Sequence, residues 1–377
     1  MQIKELSARK ILDSRKEPTI EVSVNNCKAS APSGKSKGKH ETPSYHNSLD
    51  WNIKAINSLS ITFEINSFQD LSKLESHIKN KFKLLNAKQF GANALFALES
   101  AILKALAKSK NKELWQIINP NAKKLPIPLG NAIGGGVHSH SKEHPTFQEF
   151  LIAPKGRTFK ENLKIMQDIH KQLGTLLKSS KMNDEGAWET SLSELEIFTL
   201  LNKFRDKINL GTDIASSSFQ KESQYCYKNK CLDREAQISF INFLIKEYNL
   251  LYIEDPLQEE DFKGFSKINN SSTHLVCGDD LTTTSIIRLK KAIKEKSINA
   301  MIIKPNQNGS LIETKQVVEL CKKHNIKTIL SHRSGETLDT TIADLAFAFQ
   351  TDFIKTGIAT KYRGCKLNRL IEIEKGS

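Results

Sequence analysis

The chain runs to 377 residues, more than one ordinary core holds, and carries a formal charge of +14 from 56 basic and 42 acidic side chains. Its 38% hydrophobic content supplies a packed core and excludes global disorder; no apolar run reaches the ~18 residues of a membrane span, and the charged opening MQIKELSARKILDSR is unlike a signal peptide, so a cytoplasmic globular protein is expected. The basic surplus favours phosphorylated substrates, while dispersed groups such as KNKFK and KSKNK, with no interleaved aromatics, read as a solvated surface; nucleic acid could be attracted without sequence preference but is not predicted as a partner.

Apolar and polar residues alternate through QIKELSARKIL and TIEVSV, predicting antiparallel strands with a turn near Lys16 and Glu17. The segment 31–46, APSGKSKGKHETPSYH, is rich in glycine, proline and small polar groups and predicts a mobile loop. Its GKS lacks the first glycine of a phosphate-binding P-loop, because that position is Ala29, so a lid that excludes water fits better than an ATP site. Residues 90–118 read as one helix starting at Asn93, with Leu95, Leu98, Ile102 and Leu106 on one apolar stripe. An α+β domain over 1–122 is therefore expected, followed by a second domain over 123–377.

In the second domain, PIPLGNAIGGG and FQEFLIAP predict two strands joined by a Gly- and His-rich loop, after which strands and helices alternate. Helices are expected at 234–248 after Asp233, at 284–294 and at 311–323, the last with a capping box of Ser310 and Glu313. The six cysteines are scattered; only Cys226 and Cys231 lie close, without the second pair a zinc site needs, and reduced thiols are expected.

Charged residues close successive short apolar runs. Asp213 ends INLGTD, Glu254 ends LLYIE, Asp279 ends HLVCGD, Lys304 ends NAMIIK, His332 and Arg333 end KTILSHR, and Lys355 ends DFIK, at intervals of 23 to 41 residues. That is the pace of repeated βα units, and charges at the C-terminal ends of buried strands describe the active rim of a barrel. Asp213, Glu254 and Asp279 together are hard oxygen donors suited to Mg²⁺ or Mn²⁺ rather than zinc. Asp280 faces the other way and is left a supporting role. Each carboxylate alone could instead cap a helix. Lys304, beside Arg333 and Lys355, reads equally as a base of lowered pKa or as a structural ion pair. Arg333 with Ser334 suits a phosphate. His138, His140 and His144 are spaced either for a transition metal or for three unrelated tasks.

Taken in order, ILDSRKEPTIEV, APSGKSKG, FGANA, FQEF, NDEGA, YIEDP, CGDDL, IIKPNQNGS, SHRSGET, IADLA and IKTG resemble the motifs of the enolase family over almost the whole chain. The resemblance implies an α/β barrel of modified TIM type with an N-terminal α+β capping domain, acting as a Mg²⁺-dependent lyase on 2-phosphoglycerate to give phosphoenolpyruvate in glycolysis and gluconeogenesis. It implies Glu185, Lys304, Glu149 and His332 as catalytic residues, with Lys304 taking the C2 proton and Glu185 helping the hydroxyl leave while Glu149 shares its proton. Asp213, Glu254 and Asp279 would hold one Mg²⁺, and Ser36 would help bind a second that arrives with substrate. His138, Gln148, Arg333, Ser334 and Lys355 would bind substrate, and a homodimer is implied. The chain departs from the family pattern at Lys16 and Glu17, at Lys35, and at Asn183 and Ala187, where glycines are usual around Glu185. The competing reading is a non-catalytic homologue that binds RNA or another polyanion.

Overall fold

The structure, a computed structural model, describes residues 1–35, 37–179, 181–269 and 273–376. It opens with an antiparallel meander of β1 (Leu6–Leu12), β2 (Pro18–Val24) and β3 (Cys27–Ser30). The turn between β1 and β2 places Lys16 at φ 64°, a left-handed conformation that glycine takes more easily. Helix α1 (Leu49–Asn57) packs against β1 and β2, and α2 (Leu71–Lys81) follows and packs against the later helix over Leu311–Lys323.

The helix expected over 90–118 is in fact two, α3 (Ala92–Ser109) and α4 (Leu114–Ile118). Gly91 sets the start of α3 with φ +104°, and a left-handed Asn111 follows its end. Asn93 is not the cap; it lies inside the first turn, buried, where its Oδ1 accepts from Asn306 Nδ2 at 2.9 Å. The free amides that begin α3 are satisfied from the segment after the lid, with Ala92 N donating to Pro43 O at 2.8 Å and Asn93 N to Ser44 O at 3.0 Å. Leu95, Leu98, Ile102 and Leu106 are fully buried, and α3 packs over β2 and β3.

The barrel is formed by β4 (Ile127–Gly134) and β5 (Glu149–Pro154), then, after α5 (Phe159–Leu177), the short β6 (Trp188–Glu189) and α6 (Glu194–Asn202), by β7 (Ile208–Asp213). A small sheet of β8 (Gln220–Lys221), β9 (Gln224–Cys226) and β10 (Cys231–Leu232) precedes α7 (Arg234–Tyr248). The remaining units are β11 (Tyr252–Glu254), α8 (Phe262–Ile268), β12 (Leu275–Gly278), α9 (Ile286–Lys294), β13 (Ala300–Ile303), the short α10 (Pro305–Asn308), α11 (Leu311–Lys323), β14 (Lys327–Ser331), α12 (Thr341–Ala348), β15 (Phe353–Lys355) and α13 (Lys361–Gly376). Pairing of β15 with β4 closes the ring, and β6 adds to β4 outside it. Leu129, Leu151, Ala153, Tyr252, Cys277, Ala300, Ile302, Ile329 and Phe353 fill the interior as a packed core.

Three further expectations need correction. The ring is not wholly parallel, because β5 runs antiparallel to both β4 and β7. Its first residue, Glu149, therefore sits at the rim where the other strands end, paired with Asp213. Cys226 and Cys231, expected as free thiols, are joined in a disulfide across β9 and β10; the other four cysteines are free. The expected helix at 284–294 starts later, at Ile286 after the Ser285 cap, because Thr283 and Thr284 take positive φ. Ser310 caps α11 as expected by accepting from Glu313 N at 2.9 Å, while the Glu313 carboxylate pairs outward with Lys88.

A side chain at Gly91 would combine its positive φ with a Cβ 2.5 Å from the Cα of Tyr45. Gly91→Ala is expected to lower stability by about 2 kcal/mol, read as a lower urea midpoint at unchanged slope.

Candidate active site

Along the rim, Asp213 and Glu254 are the last residues of β7 and β11, Asp279 and Lys304 directly follow β12 and β13, His332 and Arg333 follow β14, and Lys355 ends β15. One buried cavity is lined by Glu149, Glu185, Asp213, Asp279, Lys304 and Lys355, together with His138, Gln148, His332, Arg333 and Ser334. Glu254 lies beneath it, fully buried. Ser36 lies outside the described residues. Of the histidine run only His138 reaches the cavity; His140 pairs with Asp184 at 3.1 Å and His144 Nδ1 with its neighbour's carbonyl at 2.9 Å, so the three do not converge.

Lys355 organises the acidic side. Its Nζ lies 2.9 Å from Asp213, 2.8 Å from Glu254 and 3.4 Å from Glu149, all inside a rim whose side chains are almost wholly buried. Burial opposes its charge, but the three carboxylates outweigh burial and hold its pKa well above the ordinary lysine value. The same burial pushes Glu149 well above the usual carboxylate range and Glu254 up to about 8. The expected convergence of Asp213, Glu254 and Asp279 is incomplete here, because Asp279 is turned onto Lys304 Nζ while Asp213 and Glu254 share Lys355.

Of the two readings of Lys304, the geometry shows the ion pair, with Asp279 as partner. Burial lowers its pKa, yet Asp279 more than compensates and raises it above the ordinary value. The structural ion pair is thus formed in this state. Asp279 is held in turn by Gln307 Nε2 at 3.0 Å, and its amide donates to Asp255 Oδ1 at 3.0 Å.

Glu185 comes from the turn between α5 and β6, outside the strand-end series, and is 2% exposed. Asn131 Nδ2 donates to its Oε2 at 3.3 Å, His138 Nδ1 lies 3.6 Å from Oε1, and His332 Nε2 lies 3.8 Å from Oε2. Burial raises its pKa, but His332, His138, Arg363 and Lys355 together hold it below the usual carboxylate range. Burial pushes both imidazoles down as well. The electrostatics thus differ across the site, with Glu185 held low by its cationic neighbours and Glu149 raised by burial.

The lid lies against the other end of the cavity. Glu41 receives Arg333 Nη2 at 3.0 Å on both of its oxygens, and Lys35 N donates to Ser334 Oγ at 2.7 Å. Lys35 Nζ lies 3.9 Å from Asp184, beside Glu185. Gly34 covers the guanidinium so closely that any side chain there would collide with it.

Several residues of the site were not singled out from the sequence. Asp255, Gln307 and Asn306 belong to the motifs YIEDP and IIKPNQNGS, so a signal was present. Glu41 lies in the lid segment and Asn131 in PLGNAIGGG, but nothing in either pattern marks them as charge or hydrogen-bond partners of the rim. Arg363 has no signal at all; fully buried on α13, it donates to His332 Nδ1 at 3.3 Å and to the carbonyls of Arg333 and Ser334 at 3.1 and 2.8 Å.

The rim suits a divalent cation. His138, Glu149 and Glu185 are buried and offer ligand atoms within 4.8 Å of one another. Both ring nitrogens of His138, Glu149 Oε2 and Glu254 Oε1 are buried without a hydrogen-bond partner. Oxygen donors predominate, which favours a hard ion.

Comparison with known proteins matches residues 3–118 to the family described as "Enolase, N-terminal domain" and residues 122–376 to "Enolase, C-terminal TIM barrel domain". The chain is 36% identical to the enolase of Methanocorpusculum labreanum over 99% of both chains. It is 35% identical to that of Picrophilus torridus over 99% of this chain and 98% of the relative, and 36% identical to that of Sulfurisphaera tokodaii over 99% and 95%.

Lys355→Met leaves Glu149, Asp213 and Glu254 without their shared cation and is expected to cost about 3–5 kcal/mol. In urea unfolding, millimolar Mg²⁺ should restore part of that loss and chelator should abolish the restoration.

Proposed function

This chain belongs to the enolase family, and we infer on that premise that its barrel rim catalyses the reversible dehydration of 2-phosphoglycerate to phosphoenolpyruvate. The observation that carries the reading is that one buried cavity collects a lysine, protonatable carboxyls and an arginine beside a serine hydroxyl. A proton next to a carboxylate is weakly acidic because its loss adds a second negative charge, so a site for this reaction must supply positive charge as well as a base. A lysine base with Mg²⁺ is the known arrangement of the enolase superfamily.

In this proposal Lys304 takes the proton from C2. It can do so only after losing the proton that Asp279 stabilises; once Asp279 is engaged elsewhere, burial and the nearby charges of Arg333 and Lys355 all press the lysine toward its neutral form. Glu185 donates a proton to the departing 3-hydroxyl, and Glu149, whose pKa burial raises, shares that proton. His332 lines the wall between them. Arg333 and Ser334 grip the phosphate as a charged fork and a hydroxyl, with Lys355 neutralising the substrate carboxylate and His138 and Gln148 completing the pocket.

Asp213, Glu254 and Asp279 would hold one Mg²⁺, and a second would come with substrate, with Ser36 helping to bind it. When bound, Mg²⁺ supplies the charge that neutralises the substrate carboxylate as the C2 proton leaves. The division at 122/123, a homodimer and a cytoplasmic setting belong to the same proposal. Among the described residues no helix is long and apolar enough to cross a membrane.

The test is phosphoenolpyruvate formation from 2-phosphoglycerate, followed by ultraviolet absorbance. Turnover is expected with Mg²⁺ and lost with chelator, and Lys304→Ala should lower kcat by about 10²- to 10⁴-fold. Absence of metal-dependent turnover in the unmodified protein would overturn the reading.

A further inference from the structure

The turn that presents Glu185 lacks two glycines that the family pattern carries, and the structure shows what takes their place. Of residues 183–187 only Gly186 has a positive φ, +81°, and it is retained. Asn183 and Ala187 adopt ordinary backbone, so neither substitution strains the chain.

Asn183 does more than fit. Its Oδ1 accepts from the amide of Glu185 at 3.0 Å and from the amide of Ala187 at 3.0 Å. Its backbone closes the same turn, with Asn183 N donating to Ala187 O at 3.0 Å and Gly186 N to Asn183 O at 2.9 Å. The side chain is 5% exposed, and its Nδ2 is buried without a partner. That amide group presses on Gly134, the last residue of β4, where any Cβ would collide with Nδ2. The asparagine thus packs against the end of β4, and its Oδ1 holds the peptide from which the Glu185 carboxylate projects. A glycine at 183 could follow the same backbone but would leave both amides without their acceptor.

We propose that Asn183 is a positioning residue for the proton donor of this site, its side-chain oxygen fixing Glu185 in place of the freedom that glycine supplies elsewhere in the family. The proposal rests on the reading of Glu185 as the donor to the departing hydroxyl. Removing the C2 proton is the task of Lys304, on a different strand, so a displaced Glu185 should slow dehydration without slowing proton removal. A displacement on the order of 1 Å can cost about 10²-fold in rate.

The test compares Asn183→Ala, which removes the acceptor, with Asn183→Asp, which keeps it. Two rates are measured on 2-phosphoglycerate with saturating Mg²⁺, the kcat of dehydration and the exchange of the C2 hydrogen with deuterated solvent. For Asn183→Ala, kcat should fall about 10- to 100-fold with KM little changed, and C2 exchange should stay within about threefold of the unmodified enzyme. Asn183→Asp should recover most of kcat. Parallel loss of exchange and dehydration, an unchanged kcat, or failure of Asn183→Asp to recover more than Asn183→Ala would each overturn the proposal. If Asn183→Ala does not fold, Asn183→Gly replaces it with the same expected split. Glu185→Gln separates the two readings: dehydration unaffected by that change would refute Glu185 as donor, whereas its loss in Glu185→Gln with no split in Asn183→Ala would refute the positioning role alone.

Discussion

The buried ammonium of Lys355 sets the charge balance on which the rim depends. Three carboxylates from three adjacent strands, Glu149 on β5, Asp213 on β7 and Glu254 on β11, come within 3.4 Å of it. Burial on this scale makes an unpaired carboxylate very costly, so each must be paired, protonated or bound to a metal. Lys355 satisfies the set only in part. Glu149 stays well above the usual range, Glu254 rises to about 8, and Glu254 Oε1 has no hydrogen-bond partner. One lysine does not balance three buried carboxylates, which is the charge pattern that suits a divalent cation.

The Arg333 end of the cavity has the opposite problem. Arg333 is 4% exposed, and a guanidinium that deep requires an anion. Glu41 from the lid supplies it, while Lys35 N occupies the hydroxyl of Ser334. The lid is fastened on its far side as well, where Lys39 N donates to Glu259 at 3.1 Å and His40 Nε2 meets Glu260 at 2.5 Å. Any anion that came to Arg333 and Ser334 would exchange one set of contacts for another. Its affinity is then the difference between the two sets rather than the full strength of an arginine–phosphate pair.

The rim was legible because it obeys a rule the sequence states directly. A buried strand tolerates a charge only at its end, and the charges at Asp213, Glu254, Asp279, Lys304, Arg333 and Lys355 recur at the pace of βα units. Strand direction was not legible. FQEFLIAP reads the same whether it runs up or down the barrel, so the reversal of β5, which alone brings Glu149 to the rim, leaves no mark in the pattern. The state of Lys304 was also hidden, since its pKa depends on which carboxylate turns toward it rather than on its place in a strand. Glu185 could be found only by resemblance, because a residue on a loop follows no period. The pairing of Cys226 with Cys231 needs the hairpin that juxtaposes β9 and β10, which the spacing alone does not show.

The segment that carries His332, Arg333 and Ser334 is ordered by parts of the chain far from it in sequence. Arg363 on α13 holds the carbonyls of Arg333 and Ser334 from behind. Ser14, in the first turn of the chain, donates its amide to Glu336 O at 2.7 Å and accepts Glu336 N on its hydroxyl at 3.0 Å. Ser33, at the base of the lid, exchanges backbone hydrogen bonds with Gly335, a position where any Cβ would strike Asp13 and Ser33. Asp13 in turn caps its own turn, accepting from the amides of Arg15 at 2.8 Å and Glu17 at 2.9 Å. The end of β14 is thus tied into the N-terminal turn, the lid and the last helix. None of these bonds can form within the barrel sequence alone except those from Arg363. The N-terminal region is therefore a structural component of the segment that carries Arg333 and Ser334, which neither half of the chain completes by itself.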